Sequence, residues 1–130
     1  MGGEFVSDDR NAIINNELVR APLNPLAIFS EPSWWSQGRG DAPGYRPVTT
    51  LSFALNHSLD GIEPRGYHLT NLALHILVCW LIMRTASALA MTRLASMVAA
   101  ALFALMPIHS EAVVWVVGRA ESLASIGFLA

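Results

Sequence analysis

The sequence predicts an all-α fragment of a polytopic membrane protein. An extracytoplasmic loop carrying a short amphipathic helix precedes two to three transmembrane helices. Composition gives the first reason: of 130 residues, 53% are hydrophobic and only 14% charged, with mean hydropathy +0.42. Soluble domains carry about 25% charged residues. The second is an apolar run over residues 69–90, long enough to cross a bilayer. The third is uneven punctuation: six of the seven prolines fall before residue 67.

Residues 1–66 read as a polar, loop-rich segment, interrupted by Pro22, Pro25, Pro32, Pro43, Pro47 and Pro64, with Gly38, Gly40 and Gly44 near its middle. Within it, residues 48–59 place Leu51, Leu55 and Leu59 four apart, with Val48 and Ser52 beside them. Pro47 suits a first helical turn and Gly61 a stop. This is a short amphipathic helix, whose leucine stripe either lies in a membrane interface or packs on other protein.

Residues 67–130 hold the transmembrane part. At 1.5 Å per residue, 69–90 covers about 33 Å against a hydrocarbon core of about 30 Å. Its polar members are Asn71, His75 and Arg84, and the first two share a face, able to bond each other or a neighbouring helix. Met91-Thr92-Arg93 is a tight connection. A second apolar helix over 94–108 is short for a crossing, and 122–130 begins a third. Between them, the polar connection 107–121 places His109, Glu111, Arg119 and Glu121 within thirteen positions. An ionisable group at membrane depth costs roughly 2.5–3.5 kcal/mol, so such groups face a partner, a cavity or the interface. Trp34, Trp35 and Trp115 fit an interfacial aromatic belt.

Arg84 and Arg93 bracket the tight connection, so the positive-inside rule puts it in the cytoplasm. Residues 1–66 and 107–121 are then extracytoplasmic, periplasmic or lumenal. Exporting 66 residues calls for a membrane helix ahead of them, and the chain is expected to be a piece of a longer protein. The N-terminus, MGGEFVSDDR, has neither a signal peptide's basic start and apolar core nor a myristoylation signal.

Charge excludes other classes. Residues 1–66 carry five arginines and eight acids, and residues 67–130 three arginines and two acids. Neither half has the basic surplus of a nucleic-acid binder. Cys79 is the single cysteine, which rules out an intrachain disulfide. His109 and Glu111 are too few ligands for a metal site.

Asp8-Asp9 is either a solvated turn or helix cap, or a tuned base. Neighbouring carboxylates disfavour each other's ionisation, while the adjacent Arg10 favours it. His109, Glu111, Arg119 and Glu121 are either a head-group or acceptor site, or interfacial anchors with a structural ion pair. Tyr45-Arg46 and Arg65 suit a lipid phosphate or a surface salt bridge.

The blocks FVSDDRNAI, YRPVTTLSFALNHSLDG, PRGYHLTNLALH and PIHSEAVVWVVGRAE follow one another in this order. The succession resembles the N-terminal part of the transmembrane O-mannosyltransferases that carry C-terminal tetratricopeptide repeats. The resemblance runs from about Phe5 to the chain end and is least distinctive over 20–44. It implies a GT-C type glycosyltransferase with an extracytoplasmic site, a polyprenyl-phosphate sugar (mannose or another hexose) as donor and a protein serine or threonine as acceptor. No further cofactor is implied. It also implies that Asp8 is the base with Asp9 in support, and that Arg46, His109, Glu111, Arg119 and Glu121 contact acceptor or phosphate. The rival expectation is a non-catalytic membrane scaffold or an inactive truncated fragment.

Overall fold

The computed structural model describes residues 10–30, 46–106 and 115–130, arranged in two compact units, Met1–Tyr67 and His68–Ala130. Among the described residues every regular element is helical, as the composition and periodicity predict.

In the first unit, a π turn (Arg10–Ile14) leads to α1 (Glu17–Arg20) and α2 (Pro25–Ser30). The expectation of loop over this stretch is therefore corrected. Residues that read as loop punctuation are helix starts. Asn16 Oδ1 accepts from the Leu18 amide at 3.0 Å, and Asn24 Oδ1 accepts from the Ala27 amide at 3.3 Å. Pro25 occupies a first helical position, where its missing N–H is no loss. Ala12, Ile13, Val19 and Ile28 are buried.

Next comes α3 (Pro47–Asp60), one residue longer at each end than the periodicity suggests. Gly61 stops it at φ +62°, donating its N–H to the His57 carbonyl at 2.9 Å. α3 packs on α1 and α2, and its buried positions are Thr50, Phe53, Ala54 and Asn56. The leucine stripe is turned the other way: Val48 is 55% exposed, Leu55 46% and Leu59 82%. The stripe is therefore left uncovered by the chain itself, open to a membrane interface or to other protein. The face that carries Thr50, Phe53, Ala54 and Asn56 is the buried one instead.

The first turn of α4 (Pro64–Ala88) closes back onto α3. Tyr67 is fully buried, donates its hydroxyl to the Gly61 carbonyl at 2.9 Å, and meets Phe53 with ring centroids 6.5 Å apart. Gly66 sits so close to Asp60 that an added Cβ would lie 2.9 Å from the Asp60 Cβ and closer still to its carboxylate. That carboxylate accepts from Asn56 Nδ2 at 3.3 Å. Arg65 and Glu63 form an exposed ion pair at 3.9 Å, a geometry that contributes little.

At 25 residues, α4 is about 37 Å long, and it is long and apolar enough to cross a membrane. It begins five residues ahead of the predicted run because Pro64 serves as a first helical residue. Only 17% of its most apolar stretch is buried within the chain, unlike the core helix of a soluble protein. α4 ends in a Schellman motif. Ala90 takes φ 59°, its N–H reaches the Ser87 carbonyl, and the Met91 N–H reaches the Ala86 carbonyl. Thr92 then caps α5 (Arg93–Leu105), its Oγ1 accepting from the Ala95 amide at 3.3 Å. The tight connection is thus centred on Leu89–Thr92, and Arg93 is already helical. His75 of α4 stacks on Phe103 of α5, with centroids 5.7 Å apart.

At 13 residues α5 is about 20 Å long, and the last helix is shorter. A 3-10 turn (Val116–Gly118) runs straight into α6 (Arg119–Leu129). The polar connection expected to reach residue 121 is therefore helical from Val116 onward.

The second unit is inside-out by the standard of a soluble domain. Its buried residues among those described are Asn71, Val78, Ala86, Ser96, Val116, Arg119 and Ser122. Leu69, Ile76, Leu94, Leu102, Leu105 and Phe128 are all at least 60% exposed. Small and polar residues between helices with large apolar ones outside is the distribution that lipid favours.

Two substitutions in the intact protein test these joints by thermal unfolding in detergent. Ala90→Gly removes a left-handed alanine and should raise stability by about 1 kcal/mol. Gly66→Ala would gain about 1 kcal/mol in an open helix. Here it should lower stability, because Asp60 must leave Asn56.

Candidate functional site

The second unit buries one arginine completely. Arg119 opens α6 and is 0% exposed. A guanidinium keeps its charge at any accessible pH, so burial is tolerated only where its N–H groups find acceptors. One acceptor is Asn71 on α4: Arg119 Nε donates to Asn71 Oδ1 at 2.7 Å. Asn71, also 0% exposed, donates through Nδ2 to the Trp115 carbonyl at 3.1 Å. The amide orientation is forced, since an arginine only donates and a carbonyl only accepts. Trp115 O also takes the Gly118 amide at 3.1 Å, closing the 3-10 turn that precedes Arg119.

Local sequence builds this geometry. Asn71 lies seven residues into α4, about 10 Å from its N-terminal end. The chain passes from the 3-10 turn into α6 with Gly118 already in the right-handed helical region, and the Arg119 amide bonds back to the Val116 and Val117 carbonyls. The result joins residues 44 and 48 apart in sequence through one carboxamide.

The other sequence-predicted residues are placed as follows. Asp8, Asp9, His109 and Glu111 lie outside the described residues, as do Trp34, Trp35 and Tyr45. Arg46 precedes α3 in the first unit and is exposed, and its carbonyl accepts from both the amide and the hydroxyl of Thr50. Glu121 is in the first turn of α6 and exposed, where its charge complements the helix dipole. Two residues apart on a helix, Arg119 and Glu121 point to different faces, which disfavours an ion pair between them. Among the described residues no group of three or more His, Cys, Asp or Glu is placed to hold a metal ion.

Asn71 is the site residue that sequence reasoning left as structural glue. Of the two partners open to it, His75 and a neighbouring element, the structure selects the latter. His75 instead stacks on Phe103 and lies 3.8 Å from the Cys79 sulfur. The signal was present: a lone asparagine in one apolar helix and a lone arginine in another seek each other.

Comparison with known proteins matches this sequence almost end to end. It is 40% identical over 129 residues to the protein O-mannosyl-transferase TMTC3 of Mus musculus, covering 97% of this chain and 14% of that protein. The resemblance is to the protein O-mannosyl-transferases. TMTC1 of Mus musculus is 44% identical over 133 residues, covering 98% of this chain and 14% of its own length. Tmtc1 of Drosophila melanogaster is 39% identical over 128 residues, with 96% and 15% covered. The chain thus spans about one seventh of the length of these curated relatives. No family model and no solved structure matches it.

The buried pair sets an expectation for stability. Asn71→Leu in the intact protein removes an acceptor from a buried charge and should cost about 1–3 kcal/mol in detergent unfolding. Exposed Glu121→Gln should stay within about 0.5 kcal/mol.

Proposed function

We propose that this chain is the N-terminal part of a membrane enzyme that transfers mannose, or another hexose, to a protein hydroxyl. The observation that carries the reading is the match over nearly the whole chain to relatives named protein O-mannosyl-transferases. One structural feature supports it: α4 has the length and exposed apolar surface of a membrane span.

In this reading α4 crosses the bilayer with Pro64 outward and the Arg84–Arg93 connection in the cytoplasm. α3 is joined to the first turn of α4 through Gly61, Ile62 and Glu63 and by Tyr67, and its exposed leucine face lies in the membrane interface. The donor is a polyprenyl-phosphate sugar, whose phosphate sits at the level of the lipid head groups. The acceptor is a serine or threonine hydroxyl.

The chemistry is a displacement at the anomeric carbon. Asp8, with Asp9 in support, takes the proton of the acceptor hydroxyl as its oxygen bonds the anomeric carbon. The bond from that carbon to the phosphate oxygen breaks, and polyprenyl phosphate leaves with the electron pair. Arg119 stabilises the charge gathering on the departing phosphate, with Arg46, His109, Glu111 and Glu121 as further acceptor or phosphate contacts.

Two experiments on the intact protein test this. Asp8→Asn together with Asp9→Asn should lower transfer from the lipid-linked sugar by at least about 100-fold, the low end for a general base. Undiminished transfer would contradict it and favour a scaffold. With Cys79 replaced, single cysteines at positions 9 and 111 should label from the same, outer side; labelling from opposite sides would break the shared site.

A further inference from the structure

We propose that the α4–α5 hairpin holds the bilayer locally thin by drawing the head groups of anionic lipids to the level of Arg84 and Arg93. The inference rests on the reading of α4 as a membrane span with the Arg84–Arg93 connection in the cytoplasm, and it assigns the lipid surface around that connection.

Two helices give the same short thickness. From Leu69, the first large exposed apolar residue of α4, to Arg84 is about 22 Å along the axis, and all of α5 is about 20 Å long. A hydrocarbon core is about 30 Å thick. The stack of His75 on Phe103 sets the register of the hairpin. Arg84 follows His75 by nine residues, about 14 Å, and Arg93 precedes Phe103 by ten, about 15 Å, so the two arginines fall at one depth. Leu89 and Met91 are exposed in the connection beyond them, and enter the head-group layer as isolated apolar side chains.

The direction of Arg84 decides how the mismatch is met. A charge near the end of a span escapes hydrocarbon when its long side chain reaches out to the interface. Helical side chains lean instead towards the helix N-terminus, which for α4 is the outer side. Arg84 follows that lean: its Cζ lies 5.2 Å from the ring centroid of Trp80, one turn deeper. The guanidinium is therefore nearer the bilayer centre than its own Cα, exposed, and held over a ring that is itself 46% exposed. In a bilayer of full thickness that charge would sit in hydrocarbon. Head groups drawn to its level remove the cost, and the Trp80 indole suits the same boundary.

Charge complementarity names the lipid. No aspartate or glutamate occurs between Glu63 and Glu111, so the hairpin offers neither arginine a counter-ion of its own. An anionic lipid brings a phosphate that a guanidinium matches and a net charge that two uncompensated cations attract.

The test is the depth of a fluorophore on the intact protein in vesicles of phosphatidylcholine and phosphatidylglycerol. With other cysteines removed, Cys79 included, Ala88→Cys places the label one turn beyond Arg84 on the same face. Lipids brominated at successive acyl positions report its depth. With Arg84 present the label should lie among the head groups. Arg84→Leu should let it sink by about one helical turn, about 5 Å, into hydrocarbon, and Arg84→Lys should keep the parent depth. An unchanged depth in Arg84→Leu overturns the proposal. Brominated phosphatidylglycerol should quench the label about fivefold more than brominated phosphatidylcholine at equal mole fraction, the worth of one arginine at an anionic surface. Equal quenching would overturn the assignment of the lipid. A label that neither lipid reaches would mean that protein covers Arg84, which overturns it as well.

A second measurement needs no substitution. At one phosphatidylglycerol fraction, the intact protein should unfold at a higher temperature in vesicles of short acyl chains than of long ones. An equal or reversed order contradicts a thin bilayer. The spanning reading fails separately: an impermeant reagent reaching cysteines at positions 65 and 88 from the same side would defeat it, whatever the depth of the label.

Discussion

A guanidinium with no solvent access must be satisfied by the protein or its ligand, and that requirement organises the second unit. Arg119 cannot shed its charge, so α6 is held where Asn71 can reach Nε and where the 3-10 turn presents the Trp115 carbonyl back to Asn71. The ring of contacts is small. It nevertheless fixes the helix opened by Arg119 against the long helix α4, residues far apart in sequence. Replacing the arginine by an apolar residue of similar volume would be the simpler structural solution.

The same logic runs outward through the unit. Its buried residues are small or polar, and its largest apolar side chains face away from the chain. In water such a surface would drive aggregation. In a bilayer, lipid covers it, and what remains to hold helices together is close packing and hydrogen bonds. α3 in the first unit follows suit, burying Thr50, Phe53, Ala54 and Asn56 while Leu55 and Leu59 face out. Tyr67, bonded to the Gly61 carbonyl, ties that helix to the start of α4.

Much of this was legible in the sequence because it depends on periodicity and length. α3 and α4 follow from a leucine spacing of four and an apolar run of twenty-two residues. What was not legible depends on local chemistry with two meanings. Pro25 and Pro64 read as breakers and are first helical residues. Ala90 gives no sign of adopting φ 59°, since glycine is the usual occupant of a Schellman turn. The leucine stripe of α3 signals amphipathicity, not what lies against it. Arg119 was singled out by the cost of its charge, but its partner was hidden by a separation of 48 residues. Glu121, read as its neighbour in one polar segment, is turned to solvent by the helical register. The acidic pair Asp8-Asp9, with His109 and Glu111, lies outside the described residues, so the role given to them rests on the resemblance and on chemistry.

The central claim is that Asn71 and Arg119 act as one unit, and a double-mutant cycle measures that directly. Asn71→Leu, Arg119→Leu and the double substitution are compared by unfolding free energy of the intact protein in mixed micelles. The account predicts strong coupling: the double change should cost less than the sum of the single ones by about 1.5–3 kcal/mol, the range for a hydrogen bond to a charged group. Additive costs, with coupling within about 0.5 kcal/mol of zero, would contradict it.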